Sequence, residues 1–142
     1  MPEYCSRTNV ENRLTTQGLQ FLTDRDLDDE VSEAEQVAYV DTAIEEAGVF
    51  IDMHIQHLLI VSTARASGNV LLRMICTELA VERLAQLGGN DPPLSVVLEA
   101  ERVRGILKDI KSGVVTIPGI VYPKPKIPTG LERPATSYVK NL

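Results

Sequence analysis

Tryptophan is absent from this sequence, and aromatic residues make up only 4% of its 142 positions. A core must then be built from Val, Ile, Leu and Ala, a palette suited to packed helices, and no aromatic platform is available for stacking single-stranded bases. Cysteine is nearly as scarce. Two thiols, Cys5 and Cys76, are too few for a disulfide scaffold or a Cys-based zinc site. Cys76, inside an apolar helical pattern, reads as a small buried hydrophobe in a protein of a reducing cytoplasm. No run of about 20 apolar residues occurs, so no segment is expected to cross a bilayer as a helix. The opening Met-Pro-Glu-Tyr-Cys has neither the basic region nor the apolar stretch of a signal peptide.

What is present suits one ordinary domain. The chain is 44% apolar and 24% charged, a globular balance. Its length is enough to bury about 68% of the surface that the unfolded chain exposes. The net charge of −6 is unevenly spread. Residues 1–100 hold 6 Lys/Arg against 17 Asp/Glu, whereas residues 101–142 hold 8 against 3. An acidic front and a basic end favour head-to-tail association, the basic end of one molecule reaching an acidic surface on another. There is no internal repeat and no low-complexity tract.

Periodicity and punctuation predict a small bundle of about four helices. Thr8 with Glu11 is a capping box for a short helix over 9–14. After Gly18, Leu19, Phe21 and Leu22 form a small apolar cluster, and the acidic run 24–30 reads as a loop. Ser32 with Glu35 opens the strongest helix, in which Val37, Val40, Ile44, Ala47, Ile51, Ile55 and Leu58 recur at spacings of three and four. Residues 62–69 carry Ser, Thr, Gly and Asn and read as a connection. The next helix presents Leu71, Met74, Ile75, Leu79, Leu84 and Leu87, and Gly88-Gly89-Asn90 stops it. Pro92-Pro93 then preorganise a last helix with Val96, Ala100, Val103, Leu107 and Ile110 on one face, ended by Gly113. Beyond it the residues are first β-branched. Pro118, Pro123, Pro125, Pro128 and Pro134 then exclude helix through most of the rest, with residues 122–128 close to polyproline II. The fold class is thus mainly α: helices over 32–59, 70–87 and 93–112 in a body of residues 1–116, and an extended Pro-rich C-terminal arm over 117–142.

Chemistry is harder to find. His54 and His57 lie one turn apart, but neither has a Glu three residues before it, as a helical di-metal site requires. Glu78 and Glu82 stack at i, i+4, where a polar face or a salt bridge to a neighbouring helix or subunit is the plainer reading than acid–base work. No nucleophile has a second motif beside it, and Gly88-Gly89 is a helix stop, not a phosphate cradle. No enzyme, cofactor or metal is expected. Arg102, Arg104, Lys108 and Lys111, with Lys124, Lys126, Arg133 and Lys140, form a basic stripe able to face phosphates, set against an acidic body that repels them.

The segment Ala43-Ile-Glu-Glu-Ala-Gly-Val-Phe-Ile-Asp-Met-His-Ile55 resembles the second helix of tailed-phage head–tail adaptor proteins, including the Mu-like prophage branch. Residues 71–84 look like that family's next helix, and residues 101–117 are similar to its last helix with the Gly and short apolar strand beyond it. Leu22-Thr23-Asp24 fits its first segment. The resemblance covers roughly residues 8–117 and departs in two places. The family's Pro-containing loop after the long helix has no counterpart over 60–69, and the arm after Pro118 is longer than in many members.

The resemblance implies a structural virion protein of the phage neck, assembled in the host cytoplasm as a ring, commonly of twelve copies, beneath the portal. The ring would extend the DNA channel and offer a docking surface to the next neck or tail protein. Its partners are then the portal, neighbouring copies and that downstream protein, with DNA only as passing cargo and no membrane. Family members insert C-terminal segments against the portal. Carried over, that role falls on Ile117, Ile120, Val121, Tyr122 and Ile127 as apolar anchors and on Lys124 and Lys126 as steering charges, with Arg133 and Tyr138 further along. Three alternatives stand beside this one: a tail-side stopper or terminator, a DNA-binding module of the packaging machinery, and a small helical enzyme with His54 or His57 in its site. Removal of the chain after Gly113 is expected to leave a folded body that no longer joins its partner.

Overall fold

Apolar residues spaced by three and four do form helices here, and helix takes 74% of the described residues. A computed structural model describes residues 2–14, 33–87, 92–120 and 122. Among them are five helices and no strand: α1 (Arg7–Arg13), α2 (Glu33–Ile55), α3 (Val61–Ala66), α4 (Val70–Leu87) and α5 (Leu94–Ser112). None is long and apolar enough to cross a membrane. Ser32, the 24–30 acidic run, the Leu19–Leu22 cluster and the Gly88-Gly89-Asn90 stop lie outside the described residues.

The helix α4 occupies the middle, packed against α1, α2 and α5, while α2 also meets α1 and α5. The face expected for α4 is only part of what it buries. Leu72, Cys76, Ala80, Val81 and Ala85 are as deep as Ile75 and Leu84, while Leu71, Met74 and Leu87 pack at the margin. A helix buried on several sides is central, not amphipathic. By contrast α5 buries the stripe that its spacing predicts, Val96, Ala100, Val103, Leu107 and Ile110. So does α2, from Val40 through Ile44, Ala47 and Ile51 to Ile55, with Leu58 just beyond its end.

Three local expectations are corrected. The first helix is capped by Ser6, not Thr8. The Ser6 hydroxyl accepts from the Asn9 N–H (3.3 Å) and the Asn9 carboxamide oxygen accepts from the Ser6 N–H (2.8 Å). Both spacings are capping boxes. The earlier start puts Val10 in the core and turns Arg13 toward Glu78 on α4. Second, the long helix ends at Ile55, where the Leu58 and Leu59 N–H groups both donate to the Ile55 carbonyl. The segment read as a connection contains α3, held in place by burial of Ala64 and Arg65 in spite of its Ser and Thr.

Third, the apolar run after Gly113 is not a strand. Gly113 stops α5 at φ 85, as expected, and the chain then folds back. Ile117 is 2% exposed and belongs to the core. Pro118-Gly119 form a tight turn, with the Ile120 N–H donating to the Ile117 carbonyl (3.4 Å) and the Asn69 amide to the Pro118 carbonyl (2.6 Å). Ile120 and Tyr122 pack against the same core, and the Tyr122 hydroxyl accepts from the Ile117 N–H (3.0 Å). The packed body therefore runs through Ile117, and a cut after Gly113 would strip a core residue. The cut that spares the packing falls after Tyr122. Replacement of Ile117 by Ala is expected to cost about 2–4 kcal/mol in urea unfolding, as for other buried aliphatics. Replacement of the 76% exposed Val114 by Ser should stay within about 0.5 kcal/mol. Equal costs at the two positions would remove the turn from the core.

Candidate functional site

A cluster of charge lies where the N-terminal segment crosses α2 and α3. Arg65, on α3, is 8% exposed. Its Nε and Nη2 donate to Asp52 Oδ2 (3.1 and 2.6 Å), and its Nη1 donates to Glu3 Oε1 (2.8 Å) and the Pro2 carbonyl (3.3 Å). The Tyr4 ring lies 5.0 Å from the guanidinium carbon, and the Tyr4 hydroxyl donates to Asp52 Oδ1 (2.6 Å). Gly48 leaves room for this crossing: a Cβ there would meet Arg65 Nη2 at 3.0 Å and Glu3 Oε1 at 3.2 Å, so that both side chains would have to give by a few tenths of an ångström. Sequence reasoning missed the cluster. Nothing local links positions 3, 4, 52 and 65.

Glu78 and Glu82, the stacked pair on α4, are taken by different helices. Arg13 on α1 donates its Nε to both Glu78 oxygens (2.8 and 3.1 Å), and Arg104 on α5 donates to Glu82. Arg83 pairs with Glu46 on α2. These are the inter-helix salt bridges expected of the pair. The basic stripe on α5 is partly consumed in the same way. Arg104 is held by Glu82, and Arg102 by Glu99 at 2.8 Å, which keeps the Glu99 carboxyl below its usual range. His54 and His57 are held separately. His54 Nδ1 meets the Phe50 carbonyl (2.9 Å), and His57 Nε2 meets the Lys111 carbonyl at the end of α5 (3.1 Å).

A surface groove of about 380 Å³ runs between α2, α4 and α5, with Ala47, Phe50 and Leu79 among its apolar residues and Glu82, Arg83 and Arg104 among its charged ones. A second hollow of about 410 Å³ shares Phe50 and Arg104 with it and reaches His54 and Lys108. Such surfaces accept an apolar side chain between charged edges. Val49 and Met53, one turn apart on α2, add exposed apolar area.

Of the residues expected to touch a partner, Ile117 is buried within this chain's own core, and Ile120 and Tyr122 are partly buried against it. Val121, Lys124, Lys126, Ile127, Arg133 and Tyr138 lie outside the described residues.

A mainly helical module whose charges pair across helices, with a segment folded back from its last described helix, is the class of protein this fold defines. Comparison with known families sharpens it. Residues 4–124 match the family model described as Bacteriophage Mu, Gp36, and the chain belongs to that family of phage structural proteins. The match extends past the turn at Pro118-Gly119 to Lys124. A search of curated proteins found no match.

Arg65→Met is expected to cost about 3 kcal/mol, because it leaves Asp52 and Glu3 beside the core without their cation. Adding Asp52→Leu to it should recover part of the loss in urea unfolding. A single variant as stable as the parent would show that the cluster holds nothing. The Tyr4 phenol is pushed well above its ordinary range, first by burial and then by its bond to Asp52. The folded chain therefore keeps a proton that the unfolded chain gives up near pH 10, so Tyr4 makes stability fall as pH rises from about 10. Stability curves at pH 8 and 11 should differ less in Tyr4→Phe than in the parent, and an unchanged difference would count against a buried phenol.

Proposed function

We propose that this chain is a head–tail adaptor, a ring-forming virion protein of the neck that joins the portal of a phage head to the tail side and extends the DNA channel. The role is structural, with no reaction and no cofactor. The body, closed around α4, supplies a rigid block that packs side by side with neighbouring copies, commonly twelve of them. Complementary charge helps to set the register. The arm reaches the portal or an adjacent copy through Val121, Lys124, Lys126, Ile127, Arg133 and Tyr138, while Ile117, Ile120 and Tyr122 fasten its root to the body.

The observation that carries the reading is this root. The last helix stops at Gly113, and the chain is tied down through Ile117 and Tyr122. The sequence that follows is basic and Pro-punctuated in a protein that is otherwise acidic. A Pro-punctuated sequence of opposite charge on a fixed root suits capture of a partner, since each Pro restricts the backbone before docking and less conformational freedom is then lost. Membership of a Mu-type phage family supports the same setting. A tail-side stopper would use the same physics on another partner. The DNA-binding alternative is weakened because Arg102 and Arg104 already serve carboxylates of the body.

Light scattering of the chain alone, and then with the portal of its own phage, tests the proposal. The expected result is a large complex holding about as many copies as the portal has subunits. A chain ending at Tyr122 should fold with the same helix content and fail to join. A full chain that stays separate from the portal, or a shortened chain that still joins, contradicts the reading. Salt-sensitive binding to duplex DNA in place of the portal would favour the packaging alternative.

A further inference from the structure

The only two cysteines of the sequence, 71 positions apart, meet inside the fold. Cys5, at a bend in the segment before α1, and Cys76, in the middle of α4, lie with their sulfurs 3.0 Å apart, and both thiols are free and buried. That separation is shorter than van der Waals contact between sulfurs and about 1 Å longer than the bond of about 2.05 Å that would join them. We propose that Cys5 and Cys76 form a disulfide-forming site, at which a peroxide-class oxidant links the N-terminal segment covalently to the central helix.

Several features of the site fit this chemistry. Cys5 is held in place on both sides: Glu3 and Tyr4 by the Arg65–Asp52 cluster, and Ser6 by the cap of α1. It belongs to a non-helical stretch, so the small approach of the sulfurs requires no break in α4. Cys76 is fully buried, but Cys5 lines a surface groove of about 760 Å³ together with Glu3, Ser6, Asn9 and Asp41, which gives a small oxidant a route to it. The two thiols also differ in acidity. The hydrogen bond with Cys76, helped by Thr77 and opposed by burial, holds Cys5 below the ordinary thiol range, while the contact with Cys5 and burial push Cys76 up. Cys5, the thiol that the groove reaches, is the one that meets the oxidant and attacks.

The reaction balances with hydrogen peroxide as the oxidant. The Cys5 thiolate attacks one peroxide oxygen, the O–O bond breaks, and hydroxide leaves with Cys5 as a sulfenic acid. The Cys76 sulfur then attacks the Cys5 sulfur, the S–O bond breaks, and the departing hydroxyl leaves as water. The proton that Cys5 gave up on ionising neutralises the first hydroxide and the Cys76 proton goes to the second, so that two thiols and one peroxide give one disulfide and two waters. A protein that folds in a reducing cytoplasm and then serves in a released particle would carry the thiols during assembly and the bond afterwards. That setting rests on the virion reading, whereas the chemistry of the pair does not, and the test uses the purified chain alone.

The full chain is reduced, freed of reductant and treated with stoichiometric hydrogen peroxide. The expected product is a monomer lighter by two hydrogens, with Cys5 and Cys76 in one non-reduced peptide. Its thermal midpoint should rise by about 5–10 °C, because a long loop is closed in the unfolded chain. Dithiothreitol should reverse the shift, and Cys5→Ala should show none. The parent protein, reduced against oxidised, carries the test even if that variant is poorly folded. Oxygen retained on Cys5, dimers linked through Cys5, or two thiols still open to alkylation after unfolding would each overturn the proposal.

Discussion

Burial of α4 is the constraint on which the remaining structure depends, and its sequence makes that burial demanding. A helix packed on three sides by α1, α2 and α5 has little solvent for its polar groups, yet α4 carries Glu78 and Cys76 at buried positions and Glu82 at their margin. Each is answered by a different element: Glu78 by Arg13 of α1, Glu82 by Arg104 of α5, and Cys76 by Cys5 of the N-terminal segment. An unpaired carboxylate against the core would be costly, so each neighbour must be present and in register. Apolar stripes drive the helices together, and these polar pairs select which arrangement results.

The ends of the body obey the same logic. The segment before α1 and the described residues after α5 are each tied to the block by a few side chains. The first is fixed by the guanidinium of Arg65, which gathers Glu3, Tyr4 and Asp52 into one partly buried network. The second is fixed by insertion of Ile117 and by the bond between its N–H and the Tyr122 hydroxyl. Both ends of the described body are thus fastened to one block of helices.

How much of this the sequence disclosed follows from how local each signal is. The bounds of α4, most of α5, the stop at Gly113 and the buried stripes of α2 and α5 were legible because helical periodicity and glycine punctuation act within a few residues. The choice between Ser6 and Thr8 was not, because both are sound caps and tertiary packing of Val10 and Arg13 decides. The helix α3 was hidden for a similar reason, since Ser and Thr speak for a connection until Arg65 finds its carboxylates. The turn at Pro118-Gly119 left a readable sign in its dipeptide, but that Ile117 would face inward was not written nearby. Of the expected partner-binding residues, only Ile117, Ile120 and Tyr122 fall where the fold is described, and all three pack against the body.

The central claim is a location in the particle. Electron microscopy of intact virions labelled with an antibody raised against this chain tests it most directly, with heads and tails separated to expose the junction. The account predicts label confined to the head–tail junction, remaining with the head vertex when the tail is released. Label spread over the capsid shell, along the tail or at its far tip would contradict it.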